Sequence, residues 1–340
     1  MKKFLLPENG SFYKANLHCH STFSDGRLTP AELKELYMKK GYSVIAYTDH
    51  DVFIPHAELT DGNFLALNAF EAEITERKSP NPNYNKTCHL CFIALDPDNI
   101  KIPFWHREKY LFAGALHHRD EVKFYEDEPD FEREYTPECI NKMIALGKER
   151  GFFVTYNHPT WSLESYPEYM SYEGMNAMEM FNGIIFSGGF EDYNPRVYDD
   201  MLRGGKKLFC IGADDNHDWD DEKSRKFDSF RAFTMIKADK LEYKSITKAL
   251  TNGNFYASTG PEINELYIED GVVYINTSDA DRIYCTCAPR HCDIAYAEDG
   301  KPLNEAYFSV SPDDGYFRIT VVDKFGKVAT TNAYFAEDLF

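Results

Sequence analysis

Short apolar runs of strand length alternate with helical patterns through the first 260 residues. Thr29-Pro30 and Thr136-Pro137 mark helix starts, since a capping threonine followed by proline favours the first helical turn, and Gly41 and Gly151 mark the ends of these helices. Further helices are predicted to begin near residues 194 and 239. The strand-like runs lie at residues 15–19, 43–47, 64–68, 88–95, 152–156, 177–181, 208–211 and 230–236. This alternation predicts βα units around a parallel sheet, closed into a barrel.

The pattern changes after Thr259-Gly260-Pro261. Short runs in which apolar and polar residues alternate are separated by turn dipeptides such as Asp270-Gly271 and Asp299-Gly300, which is typical of antiparallel strands. We therefore predict an α/β chain in two parts, a barrel over residues 1–258 and a small all-β sandwich over residues 259–340.

Two long stretches, residues 96–135 and 159–174, interrupt the strand and helix rhythm. Long connections in compact domains are commonly functional, so we expect both to overhang the site. A plain surface loop is the alternative for the acidic part around Glu126-Asp127-Glu128.

Composition and charge limit the class of protein. Lys and Arg number 37 and Asp and Glu number 56, which gives a net charge of −19. This balance disfavours nucleic-acid binding without regard to sequence and disfavours docking to an anionic membrane, because both need a cationic surface. An anionic substrate stays compatible with it, since bound metal ions can invert the local field. With neither a signal-peptide core nor a long apolar run, we expect a cytoplasmic protein without a membrane span.

The eight cysteines are scattered, and we expect them to be reduced and buried rather than paired in disulfides. Cys285-x-Cys287 with His291 and Cys292 resembles a metal-binding knot. Its spacing differs from that of common zinc fingers, which favours ordinary structural cysteines.

Histidines and carboxylates cluster at predicted strand ends, the face of a βα barrel that carries catalysis. In the extended segment His18-x-His20 both rings point the same way and can bind one ion. Single members have structural alternatives, such as a turn for Asp25 or a hydrogen-bonded core histidine for His89. Together, so many buried ionisable groups need partners, and two or more divalent ions would supply them. The other candidates at strand ends are His50, His158, Asp215 and His217.

Six motifs follow one another in the chain: His18-x-His20 with Ser24-Asp25-Gly26, Thr48-Asp49-His50-Asp51, Ala72-Glu73-Ile74-Thr75, Cys88-His89-Leu90, Asn157-His158-Pro159 and Gly212-Ala213-Asp214-Asp215-Asn216-His217. As an ordered set they resemble the polymerase and histidinol phosphatase (PHP) family of metal-dependent phosphoesterases, over residues 12–258. The resemblance implies a distorted (β/α)7 barrel with two or three bound Zn, Mn or Fe ions, and hydrolysis by a hydroxide that bridges two of them.

The resemblance also implies a trinuclear ligand set. Its members form three groups, with Glu73 bridging the first two: His18, His20 and Asp215; His89 and His158; Asp25, His50 and His217. Glu71 is a rival of Glu73, and Asp214 is a weaker rival of Asp215. Every implied position carries a competent ligand, which argues against a degenerate barrel.

Residues near the implied ligands are candidates for other roles. Asp49 is the candidate catalytic residue outside the ligand set, because it could orient a ligand histidine. Arg27 and Arg225 could bind a substrate anion or could be solvated surface residues. Trp161 and Trp219 could wall the pocket or pack at its rim.

The segment Tyr256-Ala257-Ser258-Thr259-Gly260-Pro261 and the β-rich tail are also similar to a PHP subgroup that includes carbaryl-hydrolase-like metallohydrolases. The first hypothesis is a hydrolase of a small-molecule phosphoester, and the second is a metal-dependent hydrolase of a carboxylic ester, amide or carbamate. A third is a protein whose β domain binds a partner or a glycan. The acidic balance disfavours a proofreading exonuclease.

Overall fold

Strands dominate the part of the chain that the computed structural model describes, residues 2–191 and 193–340, with Phe186 described by its backbone only. The strands are β1 (Lys2–Phe4), β2 (Ser11–Cys19), β3 (Tyr42–Tyr47), β4 (Leu65–Thr75), β5 (Thr87–Ala94), β6 (Phe152–Tyr156), β7 (Ala177–Asn182), β8 (Phe209–Ala213), β9 (Phe233–Ala238), β10 (Phe255–Ser258), β11 (Ile263–Glu269), β12 (Val272–Ala280), β13 (Arg282–Cys287), β14 (Cys292–Tyr296), β15 (Leu303–Ser309), β16 (Tyr316–Val322), β17 (Val328–Thr331) and β18 (Tyr334–Phe335). The helices are α1 (Pro30–Met38), α2 (Pro137–Glu149), α3 (Tyr166–Ser171), α4 (Gly183–Gly188), α5 (Pro195–Arg203) and α6 (Tyr243–Thr251).

Strands β2 to β8 lie side by side in chain order and form the sheet that carries the site. Neighbours run parallel from β2 to β4 and from β6 to β8, whereas β5 is antiparallel to both β4 and β6. At the carboxyl ends, β8 returns to β2 through a bridge between Cys19 and Asn216. The fold is thus mixed α/β with a large central sheet, and the predicted all-parallel order is wrong at β5.

The hairpin of β4 and β5 explains that difference. The predicted strand at 64–68 ended before Glu71 and Glu73, whereas β4 continues to Thr75 and pairs Glu73 with His89. Charged residues interrupt an apolar strand pattern, but here their side chains face a polar cluster instead of the core. A long strand carrying buried carboxylates is therefore consistent with the packing.

The local geometry confirms the helix starts predicted at Thr29 and Thr136. Thr29 and Glu32 form a reciprocal capping box at α1, and Thr136 caps α2 by accepting from the N–H of Cys139. Helix α1 buries Leu33 and Tyr37 against the sheet. These caps satisfy N–H groups that the first helical turn leaves without partners.

The insertion at residues 96–135 packs against the loop that follows β2. Gly114 donates its N–H to Ser24 O at 2.7 Å, and a Cβ atom at Gly114 would lie 2.4 Å from the Thr22 carbonyl oxygen. Only glycine permits this approach. The contact brings Phe112 to 5.2 Å from the ring of His50, measured between centroids.

The β-rich tail consists of two packed sheets. Strands β1, β11, β12 and β15 form one sheet, and β14, β13, β16 and β17 continue the central sheet through β10, β9 and β2. Side chains from both sheets, among them Leu266, Val273, Phe308, Ile283 and Ile319, share one apolar core. The proposed boundary at residue 258 therefore falls inside a continuous sheet, and β1 from the N-terminal end belongs to the tail's own sheet.

A buried ion pair joins the two parts. Arg318 on β16 donates from Nη2 and Nε to Asp199 on α5 at 2.9 and 3.0 Å, and both side chains are buried. A paired arrangement of this kind fixes orientation, because breaking either side would leave a buried charge. None of the helices in residues 2–191 and 193–340 combines the length and hydrophobicity of a membrane span.

Candidate metal centre

The loops after β2 and β8 are aligned by backbone hydrogen bonds. Asp215 N–H donates to His18 O at 2.8 Å, and His20 N–H donates to Asn216 O at 3.1 Å. This pairing places the carboxylate of Asp215 against both histidines, with Oδ1 at 3.1 Å from His18 Nε2 and 3.0 Å from His20 Nε2. The two segments, remote in sequence, thus form one wall of the site.

Glu71 on β4 lies at the centre of the cluster. Its Oε2 atom is 3.2 Å from His18 Nε2, 3.4 Å from His20 Nε2 and 3.2 Å from His50 Nδ1. Its Oε1 atom is 3.2 Å from His89 Nδ1 and 3.5 Å from His158 Nε2. One buried carboxylate therefore faces five imidazoles.

Four overlapping groups of side chains have ligand atoms that lie within 4.8 Å of one another. They are His18, His20, Glu71 and Asp215; His50, Glu71 and His89; His20, Asp25, His50 and His217; and His18, His158 and Glu179. Glu71 belongs to two of these groups. Eight of the nine predicted ligands are present in them, and Glu73 is the exception.

Glu73 does not occupy the predicted central position. Its side chain is 35% exposed, and its Oε2 atom lies 4.0 Å from His89 Nε2. Thr75 donates a hydrogen bond to it from the same strand. Residues 71 and 73 share a face of β4, but Glu71 lies deeper, so the structure places Glu71 where the resemblance implied Glu73.

The choice between Asp214 and Asp215 is resolved by their partners. Asp214 accepts from the hydroxyl of Tyr37 at 2.8 Å and from the N–H groups of Phe230, Arg231 and Ala232 at 2.7 to 2.9 Å. Its oxygens are therefore engaged in holding the loop before β9. Asp215 is the one that faces the histidines.

Asp25 lies on the outer side of the cluster. Its Oδ1 atom is 3.3 Å from His217 Nε2 and 3.7 Å from His20 Nδ1. The next residue, Gly26, must be glycine, because a Cβ atom there would lie 2.6 Å from the His20 carbonyl oxygen. The tight turn is what directs the Asp25 carboxylate back toward the histidines.

The charges of the site favour cations. Burial lowers the pKa of a histidine, but carboxylates outweigh it at His20, where Asp215 raises the pKa to about 10, and at His89, where Glu71 raises it to about 9. Burial and the charge of His20 lower the pKa of His50 to about 3. The pKa of Glu71 lies well below its usual range despite burial, because charged histidines face it. A field that retains protons on buried imidazoles also attracts metal ions.

Several atoms at the centre lack hydrogen-bond partners among the described residues. They are Nδ1 of His50, Oε2 of Glu71 and both ring nitrogens of His89, and all are buried. Left unpartnered, such groups cost free energy. His158 and Asp215 also have positive φ angles, of 27° and 51°. Strained backbone of this kind concentrates at functional sites.

No hydrogen bond or ion pair among the described residues joins Asp49 to a candidate ligand histidine, but Ser24 Oγ, which donates to Asp49, lies 3.5 Å from His20 Nδ1. The Asp49 carboxylate accepts from Ser21 N–H at 2.8 Å, Ser21 Oγ at 2.7 Å and Ser24 Oγ at 2.7 Å. It therefore holds the turn between His20 and Asp25. The carboxylate that directly contacts a candidate ligand histidine from outside the predicted set is Glu179 on β7, whose Oε1 lies 2.7 Å from His18 Nδ1. Sequence reasoning missed it, although a glutamate between Met178 and Met180 in an apolar strand was a usable signal.

A cavity of about 510 Å³ opens beside the cluster. Phe112, Trp161 and Trp219 line it together with Ile184, Ile185 and Phe190. Trp161 packs edge-on against His89 and His158, with centroids 5.3 and 5.1 Å apart. Both predicted tryptophans thus wall the pocket.

Neither predicted substrate-binding arginine is among the described residues that line this cavity. Arg27 pairs with Asp221 at 3.1 Å on the surface, and Arg225 is exposed. The lining lysine is Lys226, next to Arg225 in the chain. A cationic contact for a substrate anion is thus available one residue away from the predicted one.

Comparison with known proteins gives short sequence matches and distant structural ones. No protein-family model matches the chain. It is 46% identical over 68 residues to the DNA polymerase/3'-5' exonuclease PolX of Bacillus subtilis, and 48% identical over 48 residues to the 5'-3' exoribonuclease of Haemophilus influenzae. These stretches cover 20% and 14% of this chain and only 12% and 18% of the two relatives.

Three solved structures are similar at 17 to 18% identity. A two-domain protein of Bacteroides vulgatus, containing a predicted PHP-like metal-dependent phosphoesterase, has a TM-score of 0.44 over 98% of this chain and 90% of its own. A proposed metal-dependent phosphoesterase of Bifidobacterium adolescentis has a TM-score of 0.38, covering 62% and 89% of the two chains. An amidohydrolase of Chromobacterium violaceum, with bound sulfate and no metal, has a TM-score of 0.37, covering 60% and 87%.

Proposed function

We propose that this chain is a metal-dependent hydrolase of the PHP type whose site cleaves a phosphoester of a small molecule. The sharing of Glu71 between two groups of buried ligand-type side chains, beside an open cavity, carries this proposal. A carboxylate shared in this way is suited to bridge two ions.

The donor set fits divalent ions. Imidazole nitrogens and carboxylate oxygens are ligands for Zn, Mn and Fe, and a bound ion would satisfy the unpartnered atoms of His50, Glu71 and His89. Two to three ions would be held by the groups His18, His20, Glu71 and Asp215; His50, Glu71 and His89; and His20, Asp25, His50 and His217. His158, which faces Glu71 and Asp215, completes the set.

Such ions, when bound, lower the pKa of a coordinated water and neutralise charge on phosphate oxygens. The chain's own residues supply orientation and enclosure. Glu179 fixes the ring of His18 through Nδ1, which leaves Nε2 directed at the cluster. Trp161 packs against His89 and Phe112 packs against His50, and both rings limit the access of water. Lys226 offers a positive charge to a substrate anion.

Two observations favour a phosphoester of modest size. The names of both sequence relatives are those of nucleases, whose substrates are phosphodiesters. The cavity has the volume of a small-molecule site, and the net charge of −19 opposes a long polyanion. We therefore favour a small phosphoester over a nucleic acid.

A hydrolase of a carboxylic ester, amide or carbamate is the second candidate. Among the described residues, Lys226 is the one lysine or arginine that lines the cavity, whereas Glu73, Asp220 and Asp228 add negative charge to its wall. A neutral substrate would need no further cation. The same ions could act on a carbonyl as Lewis acids.

A substrate panel separates the two candidates. Protein loaded with Mn or Zn is assayed on phosphomonoesters, phosphodiesters, a short oligonucleotide, carboxylic esters, amides and carbamates, with the Glu71→Gln variant as the control for contaminating enzymes. The proposal predicts turnover of a small phosphoester that the variant lacks. Turnover confined to carbon esters, amides or carbamates would establish the second candidate instead.

A further inference from the structure

A second cluster of metal-ligating side chains lies in the β-rich part of the chain, away from the barrel. Cys287 at the end of β13, His291 in the turn that follows and Asp314 before β16 each offer one ligand atom, and these atoms lie within 4.8 Å of one another. His291 Nδ1 is 2.6 Å from Asp314 Oδ1.

The backbone holds these residues together. Cys287 N–H donates to His291 O at 3.0 Å, which closes the turn, and Ala288 N–H reaches Asp314 O at 3.2 Å. Asp314 also accepts from Ser311 N–H through Oδ2 at 2.7 Å, which leaves Oδ1 directed at His291. Hydrogen bonds of the main chain therefore fix the positions of the three candidate ligands.

Cys285 is the candidate fourth donor and lies outside the group of three whose ligand atoms are within 4.8 Å of one another. It lies two residues before Cys287 on the same strand, so both thiols point to one face, and both residues are buried. Cys292 pairs with Thr286 in the register of β13 and β14 and therefore projects on the opposite face, where it is exposed.

We propose that Cys285, Cys287, His291 and Asp314 form a structural zinc site. Thiolate sulfur, imidazole nitrogen and carboxylate oxygen are all ligand types of zinc, and four of them make the tetrahedral set of a structural site. Zinc would replace the proton between His291 and Asp314, and the thiol protons would pass to solvent as the thiolates bind. With four protein ligands no position is left for a reacting water, so the role is structural.

The site would fasten the turn at residues 287–291 to the turn before β16. Arg203 at the end of α5 donates from Nε to Ala288 O at 3.0 Å, so the same turn contacts the barrel. Bound zinc would thereby also steady the contact between the two parts of the chain.

Cobalt(II) substitution tests the proposal, because thiolate ligation gives a near-ultraviolet charge-transfer band that imidazole and carboxylate ligands do not. Metal-free full-length protein is titrated with Co(II). Wild type and His18→Ala should both develop the band, with the intensity of one thiolate-ligated ion per chain once Co(II) exceeds the other metal-binding groups. Cys287→Ser should lack the band, and Cys292→Ser, the matched control, should keep it. Absence of the band from wild type, or its persistence in Cys287→Ser, would overturn the proposal.

The His291→Ala variant guards against misfolding, since this side chain is about half exposed and its loss leaves no cavity. Its affinity for Co(II) should fall by more than ~10-fold, because loss of even a supporting contact costs that much. In the His18→Ala background, zinc should raise the thermal midpoint, and adding His291→Ala should reduce the rise. An unchanged rise would contradict the proposal. If the proposed hydrolase function were wrong, the activity assays would fail, but the thiolate band would still appear.

Discussion

Replacing Glu71 with glutamine should remove the central charge of the candidate metal centre with little change in shape. Glu71 is 1% exposed, and its two oxygens lie 3.2 to 3.5 Å from the nitrogens of five histidines. Loss of one partner from a buried charged cluster costs about 3–5 kcal/mol. Since each 1.4 kcal/mol is tenfold, the affinity for metal should fall by roughly 10²- to 4 × 10³-fold.

Glu73→Gln is the matched control, two residues away on the same face of β4. The Glu73 carboxylate is partly exposed and 4.0 Å from its nearest histidine nitrogen, so its contribution should be about 0–1 kcal/mol and the loss of affinity at most about fivefold. Titration of Mn or Zn in chelator-buffered solution, with folding checked by circular dichroism, measures both variants. If Glu73→Gln weakened binding as much as Glu71→Gln, or Glu71→Gln bound like wild type, the central role of Glu71 would be refuted.

Three further predictions concern the surroundings of the site. Glu179→Gln should weaken metal binding or turnover by about 10–100-fold, because it removes the carboxylate that orients His18; wild-type values in both assays would contradict this. Lys226→Ala should lower kcat/KM for a phosphoester by about 10–100-fold, mainly through KM, while Arg225→Ala stays near wild type in the same assay, and equal effects would refute the assignment. Burial raises the pKa of Glu164 to about 7, so the folded state binds this proton more tightly than the unfolded state. The resulting stabilisation of the folded state is complete below about pH 4.5 and is lost as pH rises through 7. Urea unfolding should therefore show wild type losing up to about 3 kcal/mol relative to Glu164→Gln between pH 4.5 and 8, and parallel pH profiles would contradict this.

The order of elements and most of the site could be predicted because their signals are local. His18-x-His20 lies at a strand end, and the alternation of an extended chain alone brings both rings to one face. The caps at Thr29 and Thr136 depend on neighbours within one turn. Because the candidate ligands follow strand ends, residues that are far apart in sequence, such as His50 and Asp215, could be predicted to meet at one edge of the sheet.

The predictions that failed depend on contacts between residues that are far apart in the sequence. Glu71 and Glu73 share a face of β4, and only the depth of the strand in the fold distinguishes them. The antiparallel β5 follows from the hairpin with β4, which continues through charged residues that end an apolar pattern. Arg27 is engaged by Asp221, a contact across 194 residues that no local pattern records. The continuity of β10 with β17 similarly joins strands from the two predicted domains.

The metal content of the site around Glu71 tests the central claim most directly. His291→Ala protein, which lacks the proposed tail site, is produced with ample Mn and Zn, freed of loosely bound metal and measured by inductively coupled plasma mass spectrometry. The proposed ligand groups predict two to three ions per chain, falling sharply when Glu71→Gln is added. A folded protein that holds no ion would contradict the account.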